Sequence, residues 1–491
     1  MRDYSPKRRT ALVFTGSGTT GAYHAGVLKA LDESGVKIDV VVGSGVGTVA
    51  AAYAAVMGGS RLYGKDGFWH ETGWSSFYRL RPVLRIALIL LGTSFAVVAL
   101  PLLAGLLVGL LFPLVLIVDL MAPGAAASLI DRLSMAPEAL SSSYLAAQAV
   151  PVFGLAILAA VVMATLFLRD RRRLPEAFES LLDARPGLSR LRRGLWEIAR
   201  GAALSGGPPS AAELGRRYAA LLAENLGEPG FRELVLRTAD LDRGDALTFV
   251  LLGEAASMDD EEQPLLAPGL EGAVDLRAPG HDALFFDAVA TGLLCPMAMP
   301  LQRVSFPKGG AHGGETHRLT DATFVPGAGI AEALAAGAEQ VIVVTGVPET
   351  AAPLARRRGP RARLDATVRS LERQATRELG EAERLNRIVS TLGHRDSDGR
   401  GAWEDPATGR VYREVDVWVV RPERRAIGPM EFDGARDPAT EVVQTTDDLL
   451  EQGWRDAYRQ FVEPVVGQAS LPEREEGKYS DTQRLTSSTG S

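Results

Sequence analysis

Hydrophobic positions near the start of the chain alternate between short β-branched runs and glycine clusters. Ala11–Thr15 reads as a first buried strand. Gly16 to Gly21 reads as a loop, and Ala22–Ser34 as a helix with small residues on its inner face. The pattern then repeats. Val40 to Val42 read as a second buried strand, Gly43, Gly45 and Gly47 as a turn, and the alanine-rich run from Thr48 to Met57 as a second helix. Further on, Phe231–Asp240 alternates and ends in Asp-Leu-Asp-Arg-Gly-Asp, which predicts a strand and hairpin turn continued by Val250–Leu252. Helices are predicted over Ala211–Leu226, Ile330–Ala336, Leu364–Ile388 and Leu449–Val466. Strands are predicted over Gln340–Thr345 and Val411–Val420. The fold class is α/β with a mostly parallel sheet.

One region breaks this pattern. From Ile86 to Val118 there is no charged residue. As a single helix this run would be roughly 50 Å long, against a hydrocarbon core of roughly 30 Å, so it must tilt, kink at Pro101 or Pro113, or fold back. A second uncharged run is dense from Leu145 and ends at Leu168. Arg79, Arg81 and Arg85 precede the first run, and Arg169, Arg171, Arg172 and Arg173 follow the second. The segment between, from about Ala122 to Ser143, carries only Asp131, Arg132 and Glu138. The excess of arginine outside both runs places both flanks in the cytoplasm; an even number of crossings follows, with two expected and four crossings or a re-entrant first run left open. Phe68, Trp69, Trp74, Phe77 and Tyr78 suit the interface before the first run. Between Arg173 and Gly201 a basic amphipathic helix fits either an anionic leaflet or the domain surface.

Composition narrows the function classes. The formal net charge is −7 and the sequence pI about 5.6, which excludes a nucleic-acid partner. The single cysteine, Cys295, excludes an internal disulfide and is expected to be a buried structural thiol. The six histidines show no helical ligand spacing, and His312 and His317 sit in a glycine-rich turn, so no metal and no cofactor are expected. The acidic run Asp259 to Glu262 reads as a solvated surface insertion. The basic start, Met1 to Arg9, is followed by too short an apolar stretch for a secretory signal.

The chemistry concentrates in two motifs. Strand, glycine turn, helix over Asp39 to Ala50 is the frame of a nucleophile elbow, in which G-x-S-x-G lifts a serine to the tip of a strained turn. Here the tip is Gly45 and the serine, Ser44, stands one residue early. Gly16, Ser17, Gly18, Thr19, Thr20 and Gly21 open the first helix, where backbone N–H groups bind anions well. The same loop fits G-x-G-x-x-G, so a dinucleotide-binding oxidoreductase is a rival. The acid that would hold the ribose, Asp39, lies at the wrong end of the second strand.

The elbow, with Gly43, Val46 and Gly47 around its tip, resembles that of the patatin-like phospholipases. Leu12 to Asp32 looks like that family's first strand, glycine-rich oxyanion loop and helix. Asp321-Ala-Thr is similar to its Asp-Gly-Gly/Ala motif, and Val417-Trp-Val-Val-Arg-Pro422 with Met430-Glu-Phe-Asp resembles its last strand and exit. The resemblance implies a patatin-like three-layer α/β/α sandwich with an inserted transmembrane helical hairpin. The patatin-like part would cover residues 1–78 and 174–466, the insertion 79–173, and a disordered tail 467–491. It implies a serine–aspartate dyad without a histidine, with Asp321 as general base. Three departures stand in that site: Gly45 for serine, Thr20 for a basic residue, and Ala322-Thr323 for glycines. Two functions are therefore open. One is a multi-pass membrane protein whose cytoplasmic patatin-like domain has a degenerate hydrolase site and binds membrane lipid. The other is an active lipid acyl hydrolase that uses Ser44 with Asp321.

Overall fold

The computed structural model describes residues 4–124, 182–201, 206–253, 270–294, 301–349, 377–395 and 401–467, apart from 57, 71, 271, 310–311, 405, 407–410, 424 and 437–442, and singly 154, 157, 158 and 373. Cys295, the acidic run at 259–262, the second apolar run as a continuous segment, and the tail from 468 lie outside the described residues.

Two compact units are present. The first comprises residues 1–77, 184–296 and 301–491; the second comprises 78–183 and 297–300. The first unit is built on a nine-stranded sheet. Its parallel heart runs, in spatial order, β9 (Asp416–Val420), β8 (Gln340–Thr345), β1 (Thr10–Gly16), β2 (Val40–Gly45) and β3 (Glu233–Asp240). The near-continuous β-branched composition of β1, β2 and β8 fits strands buried on both faces. One face carries Ala11, Val13, Val40, Val42, Val341 and Val343, which pack with Ala328, Ile330 and Ala333 around α7 (Ile330–Ala335). The other face carries α1 (Thr20–Glu33) and α2 (Gly47–Ala54), and α9 (Thr446–Ala457) packs against α1. Helices on both faces of a mostly parallel sheet make the expected α/β layering.

The sheet turns antiparallel beyond β3. There β3 forms a hairpin with β4 (Asp245–Leu251), and β5 (Val274–Asp275) adds to its edge. A second hairpin, β6 (Gln302–Ser305) and β7 (Thr316–Thr320), was not visible in the hydrophobic pattern. Strand β2 accompanies β3 only as far as the pair Ser44 and Arg237; beyond it, β7 takes the same edge through Ala239–Thr320 and Asp240–Leu319. The residue that follows β7 is Asp321, so the ladder delivers this carboxylate to the point where β2 ends.

The expected strand Val411–Val420 is two strands in two sheets. Val411–Arg413 joins a small three-stranded sheet, while β9 joins the main one. The break falls at Glu414 and Val415. Asn386, on α8 (Arg377–Leu392), accepts from the Val415 N–H and donates to its carbonyl at 3.0 and 2.7 Å. Satisfied in this way, Val415 makes no ladder bonds of its own.

In the second unit, α3 covers Pro82–Met121, and Leu103, Leu106, Leu110, Leu114, Leu120 and Met121 are exposed along it. Among the described residues no helix is long and apolar enough to cross a membrane. Within α3 the side chains are described without interruption only from 109 to 121, less than the roughly 20 residues a span needs. The expected inserted hairpin therefore has no support from these residues.

Candidate active site

The elbow forms as the glycines require. β2 passes into α2 through Gly45, whose φ is 63°. That is a left-handed conformation, which costs a side chain about 1–2 kcal/mol and glycine almost nothing. The helix crosses the strand end closely: a Cβ on Gly43 would lie 2.6 Å from the Gly47 carbonyl oxygen and Thr48 Cα. Thr48 Oγ1 lies 2.9 Å from the Gly45 carbonyl oxygen and 3.0 Å from that of Val289, and its single proton is shared between them. This ties the turn to α6 (Phe285–Ala290).

Space around the tip is already filled. A Cβ on Gly45 would lie 2.2 Å from the Gly16 carbonyl oxygen and 2.7 Å from Asp321 Oδ1. The same Gly16 carbonyl accepts the N–H of Val46 at 2.8 Å. In an acyl hydrolase elbow, the N–H of the residue after the nucleophile serves the oxyanion. Here that donor is spent within the chain.

Asp321 is fully buried. Its Oδ1 accepts the Thr323 N–H at 2.9 Å and caps the short turn Ala322–Phe324, while Oδ2 is buried with no hydrogen-bond partner. Desolvation pushes its pKa up to about 7. One carboxylate thus faces the elbow tip and caps a turn.

Ser44 is placed differently. Successive side chains on a strand point to opposite faces, and in-register neighbours share a face. Ser44 therefore shares the face of Val42 and of its partner Arg237. Arg237 is buried and donates to Glu332 Oε1 at 2.8 Å and to the Gly327 carbonyl at 2.9 Å, and it also donates to the Pro326 carbonyl. The structure brings Gly16, Gly45, Val46 and Asp321 together, and seats Ser44 beside an arginine–glutamate pair.

The glycine-rich loop is covered. Thr19 donates its N–H to the Pro429 carbonyl at 3.3 Å and its hydroxyl to the Gly428 carbonyl. The N–H groups of Thr20, Gly21 and Ala22 bond to the Ser17, Gly18 and Thr19 carbonyls within the loop's own first turns. A Cβ on Gly18 would lie 1.8 Å from the Pro429 carbonyl oxygen. The covering strap, Arg425 to Phe432, is itself anchored. Ile427 N–H donates to the Gly346 carbonyl at 2.9 Å, Gly428 N–H to Glu431 Oε2 at 3.0 Å, and Arg425 pairs with buried Glu431. Met430-Glu-Phe-Asp, which follows the last strand as the expected exit, closes the loop that would receive an oxyanion or a pyrophosphate. Thr20 Oγ1, where the family carries a basic residue, is buried without a hydrogen-bond partner.

Comparison with known proteins adds a family to this geometry. The model of the patatin-like phospholipase family matches residues 12–107. The chain is similar to patatin-like phospholipase domain-containing protein 6 of Mus musculus, Pongo abelii and Homo sapiens, each 41% identical over 75 residues. The aligned stretch is 15% of this chain and 5% of each relative's length.

Proposed function

Because residues 12–107 match the model of the patatin-like phospholipase family, we propose that this chain keeps the lipid-hydrolase frame with a closed, non-hydrolytic site and binds lipid at the cytoplasmic leaflet. The observation that carries this is position 45. It has no side chain, and the place of a nucleophile's Cβ is taken by the Gly16 carbonyl and the Asp321 carboxylate. Attack on an ester needs a nucleophile within roughly 3–3.5 Å of the carbon and free donors for the developing oxyanion. The Val46 N–H is bonded to Gly16, and the Pro429 carbonyl lies on Gly18. Ser44 belongs to the Arg237 face.

The lipid side of the proposal rests on the apolar sequence. The uncharged run Ile86 to Val118 and the run ending at Leu168 form a two-crossing hairpin, with Arg79, Arg81, Arg85 and Arg169 to Arg173 on the cytoplasmic side. The elbow precedes the hairpin and Asp321 follows it, so an even number of crossings keeps both on one side. A Cys295→Ser background with Ile130→Cys labels with an impermeant thiol reagent only from outside the cytoplasm, and the same background with Arg200→Cys labels only from inside. The reverse pattern sinks the orientation.

Fluorophosphonate labelling of the detergent-purified chain tests the closed site. The native chain, Ser44→Ala and Gly45→Ser all remain unlabelled. Gly45→Ser stays silent because its side chain enters an occupied space at a positive φ. Labelling of the native chain that disappears in Ser44→Ala would establish the active hydrolase instead. Labelling of Gly45→Ser alone would mean that the strap and Gly16 yield easily, and that only the nucleophile is missing.

A further inference from the structure

We propose that His312, Glu315 and His317 bind a divalent ion of the zinc class. The three residues lie in the turn between β6 and β7 and at the start of β7, and one donor atom of each lies within 4.8 Å of the others. Both imidazoles are side chains of the buried interior, and Glu315 is exposed.

The hydrogen bonds assign the free nitrogens. His317 Nδ1 lies 2.5 Å from Asp240 Oδ2, and the Asp240 carboxylate can only accept there, so Nδ1 carries the proton. Nε2 of His317 lies 2.9 Å from Glu315 Oε2, so the edge between them holds a cation: a proton on the imidazole, or a metal ion that displaces it. His312 repeats the arrangement. Its Nε2 lies 3.3 Å from the Gly272 carbonyl, which can only accept, and its Nδ1 is buried with no hydrogen-bond partner. A histidine whose other nitrogen is held by a carboxylate or a backbone carbonyl is the usual state of a metal-ligating histidine, because that bond fixes the tautomer and orients the ring.

Ring geometry agrees. The two imidazole centroids are 5.4 Å apart and their planes meet at 79°. Two imidazoles on one tetrahedral ion, each about 2.0–2.1 Å from it, have centroids roughly 5 Å apart. Two nitrogen donors with one carboxylate select zinc, cobalt or nickel over calcium and magnesium, and they leave a fourth position for water. Arg243, 3.4 Å from Glu315 and half exposed, has room to swing away. The bound ion would tie the β6–β7 turn to the end of β3 through Asp240, one strand ahead of Asp321. His312 and His317 stand in the glycine-rich turn where the sequence leads to no metal, because the groups that orient them, Asp240 and Gly272, come from distant segments.

The test uses the full chain in detergent, with any affinity tag removed and prior dialysis against EDTA. Calorimetric titration with zinc chloride gives one ion per chain, and cobalt chloride gives the visible absorption of a tetrahedral ion. Glu315→Gln lowers affinity at least tenfold without unfolding the chain, since its side chain is solvent-facing. His312→Ala combined with Glu315→Gln abolishes binding, and Asp240→Asn weakens it about tenfold. Titration without stoichiometric heat overturns the proposal and leaves a proton as the cation on His317. Binding that persists in the double variant, with circular dichroism unchanged, overturns it as well by placing the ion elsewhere.

Discussion

Asp321→Asn stabilises the folded chain at pH 8 by about 2–4 kcal/mol, and at pH 4 it is neutral or destabilises the chain by up to about 2 kcal/mol. The carboxyl is fully buried, its Oδ2 has no partner, and desolvation raises its pKa from the ordinary 3.8 to about 7. A raised folded-state pKa means that the folded chain binds the proton more tightly than the unfolded one, so stability falls as pH rises from the unfolded to the folded value. Below about pH 4 the group adds no penalty. Above about pH 7 the full penalty is present, at roughly 1.4 kcal/mol per pKa unit, or about 4 kcal/mol as a ceiling. Asparagine removes the charge and keeps an oxygen for the Thr323 N–H, but its own amide hydrogens lack partners, which sets the lower figure. Urea unfolding followed by tryptophan fluorescence at both pH values measures it. An equal effect at pH 4 and pH 8 would show that Asp321 is already ionised and satisfied in the folded state.

The carboxylate's situation explains what could be read from the residues and what could not. The strand–glycine–helix frames at Gly16 to Gly21 and Gly43 to Gly47 are local, because the turn, the positive φ and the β-branched strand lie within a few residues. Both were legible, as were the hairpin after Asp240 and the strand Gln340–Thr345. Asp321 was found through its resemblance to a motif, and its position beside Gly45 depends on β7 replacing β2 along β3. The β6–β7 hairpin carries His317, Arg318 and Thr320 in a strand with little apolar alternation, so periodicity gave no signal. Met430-Glu-Phe-Asp is legible as the exit that follows the last strand, but the strap's seat on the glycine-rich loop is not. Its partners, Thr19 and Gly346, are far off in sequence and are chosen by tertiary packing. For Ser44 the decisive fact is strand alternation, which becomes informative only once Arg237 is known to stand in register beside it.

Gly18→Ala costs about 3–5 kcal/mol and releases the strap. Gly18 has φ 58°, and an alanine Cβ there would lie 1.8 Å from the Pro429 carbonyl oxygen and 2.6 Å from its carbon. A backbone group cannot rotate aside as a flexible side chain can, so the strap must leave or the loop must move. The left-handed conformation alone costs about 1–2 kcal/mol. Losing the two Thr19 hydrogen bonds costs about 1 kcal/mol each, and exposing Ile427, Met430 and Phe432 adds apolar surface to water. Gly35→Ala is the matched control. Gly35 has φ 64° with nothing within 4 Å of its Cβ position, so it pays the backbone cost without touching a strap. The difference between the two variants in urea unfolding isolates the strap contact, and limited proteolysis between residues 425 and 432 appears in Gly18→Ala only. Fluorophosphonate labelling stays absent in Gly18→Ala, since opening the strap supplies no nucleophile at position 45. Equal stabilities for the two variants would mean that the strap does not sit on the loop in solution, and the closed site would then rest on Gly16 and Gly45 alone.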